Sequence, residues 1–154
     1  MTDLSPASAM DLAQIFLDQT GHAMETGNFD QLAACFAFPQ EIDTFDGRRL
    51  ISTPQELKEI FDSVRRHYQS LGATSVVRHV VQAEFEDPDT LIATHETRVL
   101  NHDQLVQTPF PVFSVAKRTE DGWKITMSQY AIVDAPAHNA ALSGHKPPQA
   151  DTTE

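Results

Sequence analysis

The spacing of apolar residues along this chain of 154 amino acids changes at Gly72, and the change restricts the folds that are open to it. Before Gly72 the apolar residues recur at every third or fourth position, as in amphipathic helices. After Gly72 they alternate with polar residues, as in strands that are buried on one face. A run of helices followed by a run of strands is typical of an α+β domain. We therefore expect helices packed on one face of a mainly antiparallel sheet.

Three helices are predicted in the first half of the chain. The first covers residues 9–27, and Asn28 caps a shorter second helix that ends at Pro39. The third begins at Thr53-Pro54-Gln55-Glu56, the clearest helix start in the sequence. Its threonine is the N-cap, its proline occupies the first helical position, and its glutamate completes a capping box. Gly72 supplies the left-handed residue that ends this helix.

Six strands are predicted, at residues 40–44, 48–51, 74–86, 90–100, 104–117 and 123–133. The turn around Pro88 sets the register of the third and fourth strands. This register pairs His79 with Thr97 and places His95 on the same face. The next turn brings Gln107 of the fifth strand opposite Thr97, so a row of polar side chains crosses three neighbouring strands.

The two faces of this predicted sheet differ in polarity. One face is apolar apart from the polar row, whereas the other carries Arg78, Arg98 and further polar side chains that are expected in solvent. Polar groups that converge in an apolar cavity are typical of a ligand site. The predicted pocket residues are His79, His95, Thr97, Gln107, Gln129, Tyr68 and Trp123. The alternative interpretation is that each polar group bonds to the backbone or to water and fills the core.

The order of these elements over residues 9–133 resembles that of the nuclear transport factor 2-like superfamily. The resemblance rests on Gly27-Asn28-Phe29-Asp30 between the first helices, on Thr53–Glu56, and on Asp121-Gly122-Trp123-Lys124-Ile125 at the last strand. It implies a curved sheet that wraps the helices into a cone with an internal cavity. The superfamily includes ketosteroid isomerases, polyketide cyclases of the SnoaL-like type, dehydratases and non-catalytic binding or assembly modules. The fold alone therefore does not select a function.

The ketosteroid isomerases supply one further candidate residue. Asp43 lies within a residue or two of the position of their general base, so the resemblance implies that it abstracts a proton or orients a histidine. Their two oxyanion donors have no counterpart here, because Thr20 stands where the tyrosine should be and residues 112–114 contain no aspartate. Ketosteroid isomerisation is therefore not expected.

Two classes of function remain open after this comparison. The first is an acid–base enzyme of the isomerase, cyclase or dehydratase type, acting on a small hydrophobic or carbonyl-type ligand. Its expected catalytic residues are His79, His95 and Asp43, because an imidazole changes charge near neutral pH. The second is a non-catalytic ligand-binding or assembly module of the same fold.

Neither a metal nor a cofactor is expected at this site. The residues His79, His95 and Asp43 could in principle form a set of two histidines and one carboxylate. The sequence has no H-x-H or H-E-x-x-H spacing that would support such a metal centre. A Gly-rich phosphate loop is also missing from the sequence.

The charge and hydropathy of the chain restrict its expected partners and cellular location. With 22 acidic and 11 basic side chains the net charge is −11, so nucleic acids and anionic membranes are poor partners. The longest apolar run covers residues 33–38, which is too short to cross a bilayer. A single cysteine and the lack of a signal-peptide pattern predict a cytoplasmic protein.

An assembly and two chain ends are also predicted. The register turns a contiguous apolar patch to the outer face of the last two strands, and such patches are typical of interfaces. We therefore expect a homodimer that forms through Phe110, Val112, Ala116, Tyr130 and Ile132. Residues 1–8 and 135–154 are expected to be disordered tails, which leaves one domain at 9–134.

Overall fold

A computed structural model describes residues 6–143 of the chain. The helices are α1 (Pro6–Thr26), α2 (Phe29–Ala33), α3 (Pro54–Ser70) and α4 (Pro136–Ser143). The strands are β1 (Phe36–Thr44), β2 (Gly47–Ile51), β3 (Ser75–Asp87), β4 (Thr90–Asn101), β5 (Gln104–Leu105), β6 (Phe110–Thr119) and β7 (Gly122–Tyr130). The predicted α+β class, with three N-terminal helices packed on a mainly antiparallel sheet, is confirmed.

The strands form one curved sheet in the order β2-β1-β7-β6-β4-β3, and the short β5 pairs with β4. Neighbouring strands are antiparallel except for β1 and β7, which are parallel. The helix α1 packs along β3, and α4 packs against α3, β1 and β2. The helices and the concave face of the sheet thus enclose the cavity of the expected cone. None of the described helices is both long and apolar enough to cross a membrane.

The start of α3 has the predicted geometry. The Thr53 side chain accepts a hydrogen bond from the Glu56 backbone N–H at 3.2 Å, and the Glu56 carboxylate accepts one from the Thr53 N–H at 3.2 Å. These reciprocal bonds satisfy two backbone donors that the helix would otherwise leave free. After the helix, Gly72 has a φ of +68°, the left-handed conformation that glycine adopts without strain. Four residues of α3 form its buried stripe: Leu57, Ile60, Phe61 and Val64.

A β-bulge in β3 changes the predicted register. The pairing of Ala83 with Ala93 near the hairpin turn agrees with the prediction. Further along, Val80 pairs with His95, so that Val81 is an extra residue without a partner in β4, and its side chain is 63% exposed. Beyond a bulge the residues that face inward are exchanged for their neighbours.

This exchange corrects the predicted position of His79. Arg78, not His79, lies opposite the buried Thr97, and His79 lies opposite Glu96 on the outer face. His79 is exposed, whereas Arg78 is partly buried and lines the cavity. The prediction that Arg78 faces solvent and His79 faces the pocket is therefore wrong.

The fifth predicted strand is divided in two, which reverses the faces of β6. Thr97 pairs with Phe110 rather than with Gln107, because residues 106–109 form a loop that contains Pro109. Proline lacks a backbone N–H and so disfavours continuation of the strand there. The observed register differs from the predicted one by an odd number of residues, which turns the formerly outer residues of β6 inward.

The predicted dimer face is buried as a result. Phe110, Val112, Ala116 and Ile132 are each no more than 3% exposed, and Tyr130 lines the cavity. These residues cannot be a surface patch, and Phe113, Val115 and Met127 occupy the outer face in their place. The homodimer itself stays a prediction.

The predicted tails are shorter than expected within the described part of the chain. The helix α1 begins at Pro6, and residues 136–143 form α4 rather than a disordered segment. His138 and Leu142 of α4 are buried at 1% and 4% exposure, and Asn139 Nδ2 donates a hydrogen bond to the Ile132 carbonyl at 3.0 Å. The rest of both predicted tails, at 1–5 and 144–154, lies outside the described residues.

Candidate functional site

A cavity of about 680 Å³ lies between the helices and the concave face of the sheet. Its volume is within the range of small-molecule sites. Its walls are mainly aliphatic and aromatic, as the following contributors show: Phe16 and Leu17 of α1, Ile60 and Val64 of α3, and Leu91, Val112 and Ile125 of the sheet. Polar side chains from both the helices and the sheet interrupt this apolar lining, among them Thr20, Gln40, Tyr68, Arg78, His95 and Tyr130.

Three of the sequence-predicted pocket residues line this cavity, and the others do not. His95, Thr97 and Tyr68 line it. Gln129 is exposed on the outer face, where it pairs with Asp43. Trp123 packs on the Phe85 ring instead, with ring centroids 5.7 Å apart. Gln107 lies in the loop before β6 and reaches the cavity only through another residue, His138.

The three predicted catalytic residues are not brought together. Asp43 lies on the outer side of β1, where Arg48 Nε is 3.4 Å from its carboxylate and 3.1 Å from that of Glu41. The pKa of Glu41 is raised, first by desolvation and then by the hydrogen bond and the negative charge of Asp43. His79 faces outward on the distant strand β3, so only His95 of this set lies in the cavity.

Arg78 is the principal residue that the sequence prediction missed. Its Nη2 donates hydrogen bonds to the Leu17 carbonyl at 2.7 Å and to the Thr20 hydroxyl at 2.6 Å. The Thr20 hydroxyl in turn donates to the Phe16 carbonyl at 2.8 Å, which leaves its oxygen free to accept from arginine. Desolvation lowers the pKa of Arg78. A guanidinium nevertheless stays charged at neutral pH.

His95 is a neutral imidazole beside this cation. Its side chain is buried at 8% exposure, and desolvation, followed by the charge of Arg78, lowers its pKa to about 3. Neither ring nitrogen has a hydrogen bond to any other residue in the range 6–143. His95 can therefore donate one hydrogen bond and accept another from a molecule in the cavity.

Two tyrosines contribute neutral phenols to the cavity wall. Desolvation raises the pKa of both Tyr68 and Tyr130, with a smaller opposing effect of the positive charge of Arg78. Both hydroxyls are therefore protonated at neutral pH. Tyr130 was predicted on the outer face, and the reversed register of the last strands brings it inside.

A chain of hydrogen bonds fixes the proton of Tyr68. The Gln107 amide nitrogen can only donate, and it lies 2.9 Å from His138 Nδ1. His138 therefore has its proton on Nε2, which donates to the Tyr68 hydroxyl at 3.4 Å. The Gln107 carbonyl oxygen accepts from His67 Nε2 at 3.0 Å. Because the Tyr68 oxygen accepts from His138, its own O–H is free to donate into the cavity.

Gln40 is a fully buried amide that lines the same cavity. Its side chain is 1% exposed, and neither its Oε1 nor its Nε2 has a hydrogen-bond partner among the described residues. Buried polar groups are usually bonded to protein, water or ligand. An amide in this position indicates a place where a bound molecule completes the hydrogen bonding.

Metal ligands are not clustered around the cavity. Within residues 6–143, no group of three or more histidine, cysteine, aspartate or glutamate side chains could hold a metal ion. Cys35 is buried, and desolvation is the main reason why its pKa is raised, so its thiol stays protonated and a weak ligand.

Solved structures of other proteins share this fold. No protein-family model and no curated protein matches the chain. A domain of unknown function with a cystatin-like fold from Nostoc punctiforme is similar, with 18% identity, 86% and 80% coverage of this chain and of that one, and a TM-score of 0.65. A proposed dehydratase of the NTF2-like family from Streptomyces avermitilis is 18% identical; the match covers 84% of this chain and 99% of the dehydratase, with a TM-score of 0.59. A proposed association domain of a calcium/calmodulin-dependent protein kinase type II from Thiobacillus denitrificans is 14% identical; the match covers 87% of this chain and 99% of that domain, with a TM-score of 0.59.

Proposed function

We propose that this chain, which has the nuclear transport factor 2-like fold, binds a small and largely apolar molecule inside its cone. The observation that carries the proposal is the cavity of about 680 Å³ together with the buried Gln40 amide in its wall, whose two polar atoms have no partner among the described residues. Leaving such groups without hydrogen bonds is costly in free energy. A ligand that fills the apolar space and bonds to Gln40 and His95 would remove that cost.

Binding without catalysis is favoured over acid–base catalysis by the state of the histidine. A general base is most effective when its pKa lies near the working pH. The pKa of His95 is about 3, so this imidazole is a weak base at neutral pH. The other two expected catalytic residues, His79 and Asp43, face away from the cavity.

An enzyme of the isomerase, cyclase or dehydratase type is the second candidate. It is supported by the free O–H of Tyr68, which could donate to a substrate carbonyl, and by the neutral His95 in the same cavity. The structural likeness to a proposed dehydratase agrees with this candidate. In such an enzyme a bound negative charge near His95 would raise its pKa towards the useful range.

The experiment that tests the proposal is a thermal-shift screen of the full chain with small carbonyl compounds and short-chain acids. A ligand at 100 times its Kd stabilises a protein by about 2.7 kcal/mol. Hits would be titrated calorimetrically and followed by mass spectrometry, because turnover of a hit supports the enzyme and its recovery unchanged supports binding alone.

Two adjacent valines provide a matched pair of variants for that screen. Val80 lines the cavity, whereas Val81 is 63% exposed on the other side of the strand. Val80→Phe should fill part of the cavity and weaken every hit by about tenfold or more, whereas Val81→Phe should leave the affinities unchanged. If no compound raises the melting temperature, or if Val80→Phe binds the hits as the wild type does, the proposal is wrong.

A further inference from the structure

We propose that the ligand carries a carboxylate and that Arg78 is the residue that binds it. This inference rests on the proposed function, because it names the chemical class of the molecule in the same cavity. It follows from the position of a guanidinium inside an apolar chamber, from the hydrogen bonds that hold it there, and from the neutral donors around it.

Arg78 has no carboxylate within ion-pair distance in the described part of the chain, although the more distant charge of Asp18 partly opposes the lowering of its pKa. The arginines Arg48, Arg98 and Arg118 each have a carboxylate within 3.4 Å. Arg78 instead bonds only to a backbone carbonyl and a hydroxyl of α1. A cation that is withdrawn from water without a carboxylate in direct contact is unfavourable. An anionic group on the ligand would supply the missing ion pair.

The helix α1 holds the guanidinium in place while leaving part of it available. Both Nη2 hydrogens are used by the Leu17 carbonyl and the Thr20 hydroxyl, which leaves the Nε–H and the Nη1 hydrogens without a partner among the described residues. Gly21 makes room for this arrangement, since a Cβ there would lie 3.3 Å from Nη2. Hydrogen bonds between a guanidinium and a carboxylate are stronger than those between neutral groups.

The groups around Arg78 match a carboxylate better than a second cation. Thr97 lies directly opposite Arg78 in the register, and Tyr68, Tyr130 and His95 line the same cavity as neutral groups that can donate hydrogen bonds. The acidic residues that line the cavity, Asp18 and Glu25, are both exposed and make no ion pair with Arg78, and Asp18 acts on the pKa of Arg78 only through its more distant charge.

Arg65 is the other arginine that lines the cavity, and its contacts differ. Its Nε donates to the Met24 carbonyl at 3.0 Å, and its guanidinium carbon lies 5.7 Å from the centre of the Phe61 ring. The stacking on Phe61 already stabilises this cation. Since the chain as a whole has a charge of −11, selective uptake of an anion depends on a local positive site, and the geometry assigns that site to Arg78.

The test compares a carboxylate with its neutral isostere on the full chain. The probes are 4-phenylbutanoate and 4-phenylbutanamide, and the Kd of each is measured by calorimetry for the wild type, Arg78→Gln, Arg65→Gln and Arg98→Gln. We expect the wild type to bind the carboxylate at least about tenfold more tightly than the amide. Arg78→Gln should remove this difference, whereas Arg65→Gln and the exposed control Arg98→Gln should retain it.

Each contrary outcome has a distinct meaning. Equal affinity of the wild type for both probes, or a preference that Arg78→Gln retains, overturns the inference about Arg78 but leaves ligand binding intact. The inference is also overturned if Arg65→Gln loses the preference for the carboxylate while Arg78→Gln keeps it. Binding of neither probe to the wild type overturns the inference, and the proposed function fails only if the wider screen also yields no ligand. Should Arg78→Gln fail to fold by circular dichroism, Gly21→Val is the second variant, since its larger side chain displaces the guanidinium; an unchanged preference there counts against the inference.

Discussion

Replacing Gln40 with leucine should stabilise the ligand-free protein and weaken ligand binding at the same time. The side chain is 1% exposed and both of its polar atoms lack a partner among the described residues. A buried polar group without a hydrogen bond costs about 1–3 kcal/mol, and leucine has nearly the same size without that cost. We therefore expect the free energy of unfolding of Gln40→Leu to exceed that of the wild type by about 1–3 kcal/mol.

The assay is urea denaturation followed by circular dichroism, with ligand affinity measured on the same samples. For a domain of this size each kcal/mol corresponds to roughly 2–4 °C in the melting temperature. The matched control is Gln82→Leu, because Gln82 is exposed on the outer side of β3 and its replacement should change stability by less than about 0.5 kcal/mol. The reasoning is refuted if Gln40→Leu is less stable than the wild type while Gln82→Leu is not.

Two further predictions concern titration and assembly. The pKa of His138 is about 3 instead of the ordinary 6.5, mainly through burial, so the unfolded chain binds a proton that the folded protein does not. The free energy of unfolding should therefore fall as the pH is lowered from about 6 to 5, by up to about 1.4 kcal/mol per pH unit for each such histidine. His138→Gln should reduce this dependence of stability on pH, whereas the exposed control His79→Gln should not. Equal pH dependence in the wild type and both variants would contradict the burial of His138. In light scattering, the wild type should have twice the monomer mass, and Val115→Asp should be a folded monomer because Val115 lies on the outer face of the sheet. Val112→Asp should instead unfold, because Val112 is buried and the substitution places a charge in the core. A stable Val112→Asp protein would contradict the register that places Val112 inside.

The helices and the fold class could be predicted because their signals are local. The capping box at Thr53 and Glu56, the apolar stripe of α3 and the left-handed Gly72 all lie within a few residues of what they determine. The hairpin pairing of Ala83 with Ala93 was equally accessible, since it is close to the turn that sets it. Local rules of this kind do not depend on the rest of the chain.

The composition of the cavity could not be predicted to the same extent, because it depends on irregularities of the strands. One extra residue at Val81 decides whether Arg78 or His79 faces inward, and no local pattern in β3 marks that position. The loop before β6 reverses the strand faces in the same way and so moved Tyr130 from the predicted surface to the cavity. His138 was missed for another reason: α4 has the composition of a tail and is held by tertiary contacts.

The parallel pairing of β1 with β7 also sets the order in which this chain can fold as it is synthesised. The strand β1 emerges early, yet its partner residues 125–129 are among the last of the sheet to be made. Contacts so far apart in sequence close a long loop and are characteristic of slow folding. Gln40, Tyr68 and Arg78 are all synthesised before β7 and α4, which complete the wall of the cavity. The ligand site can therefore form only after all the helices of the first half have been synthesised.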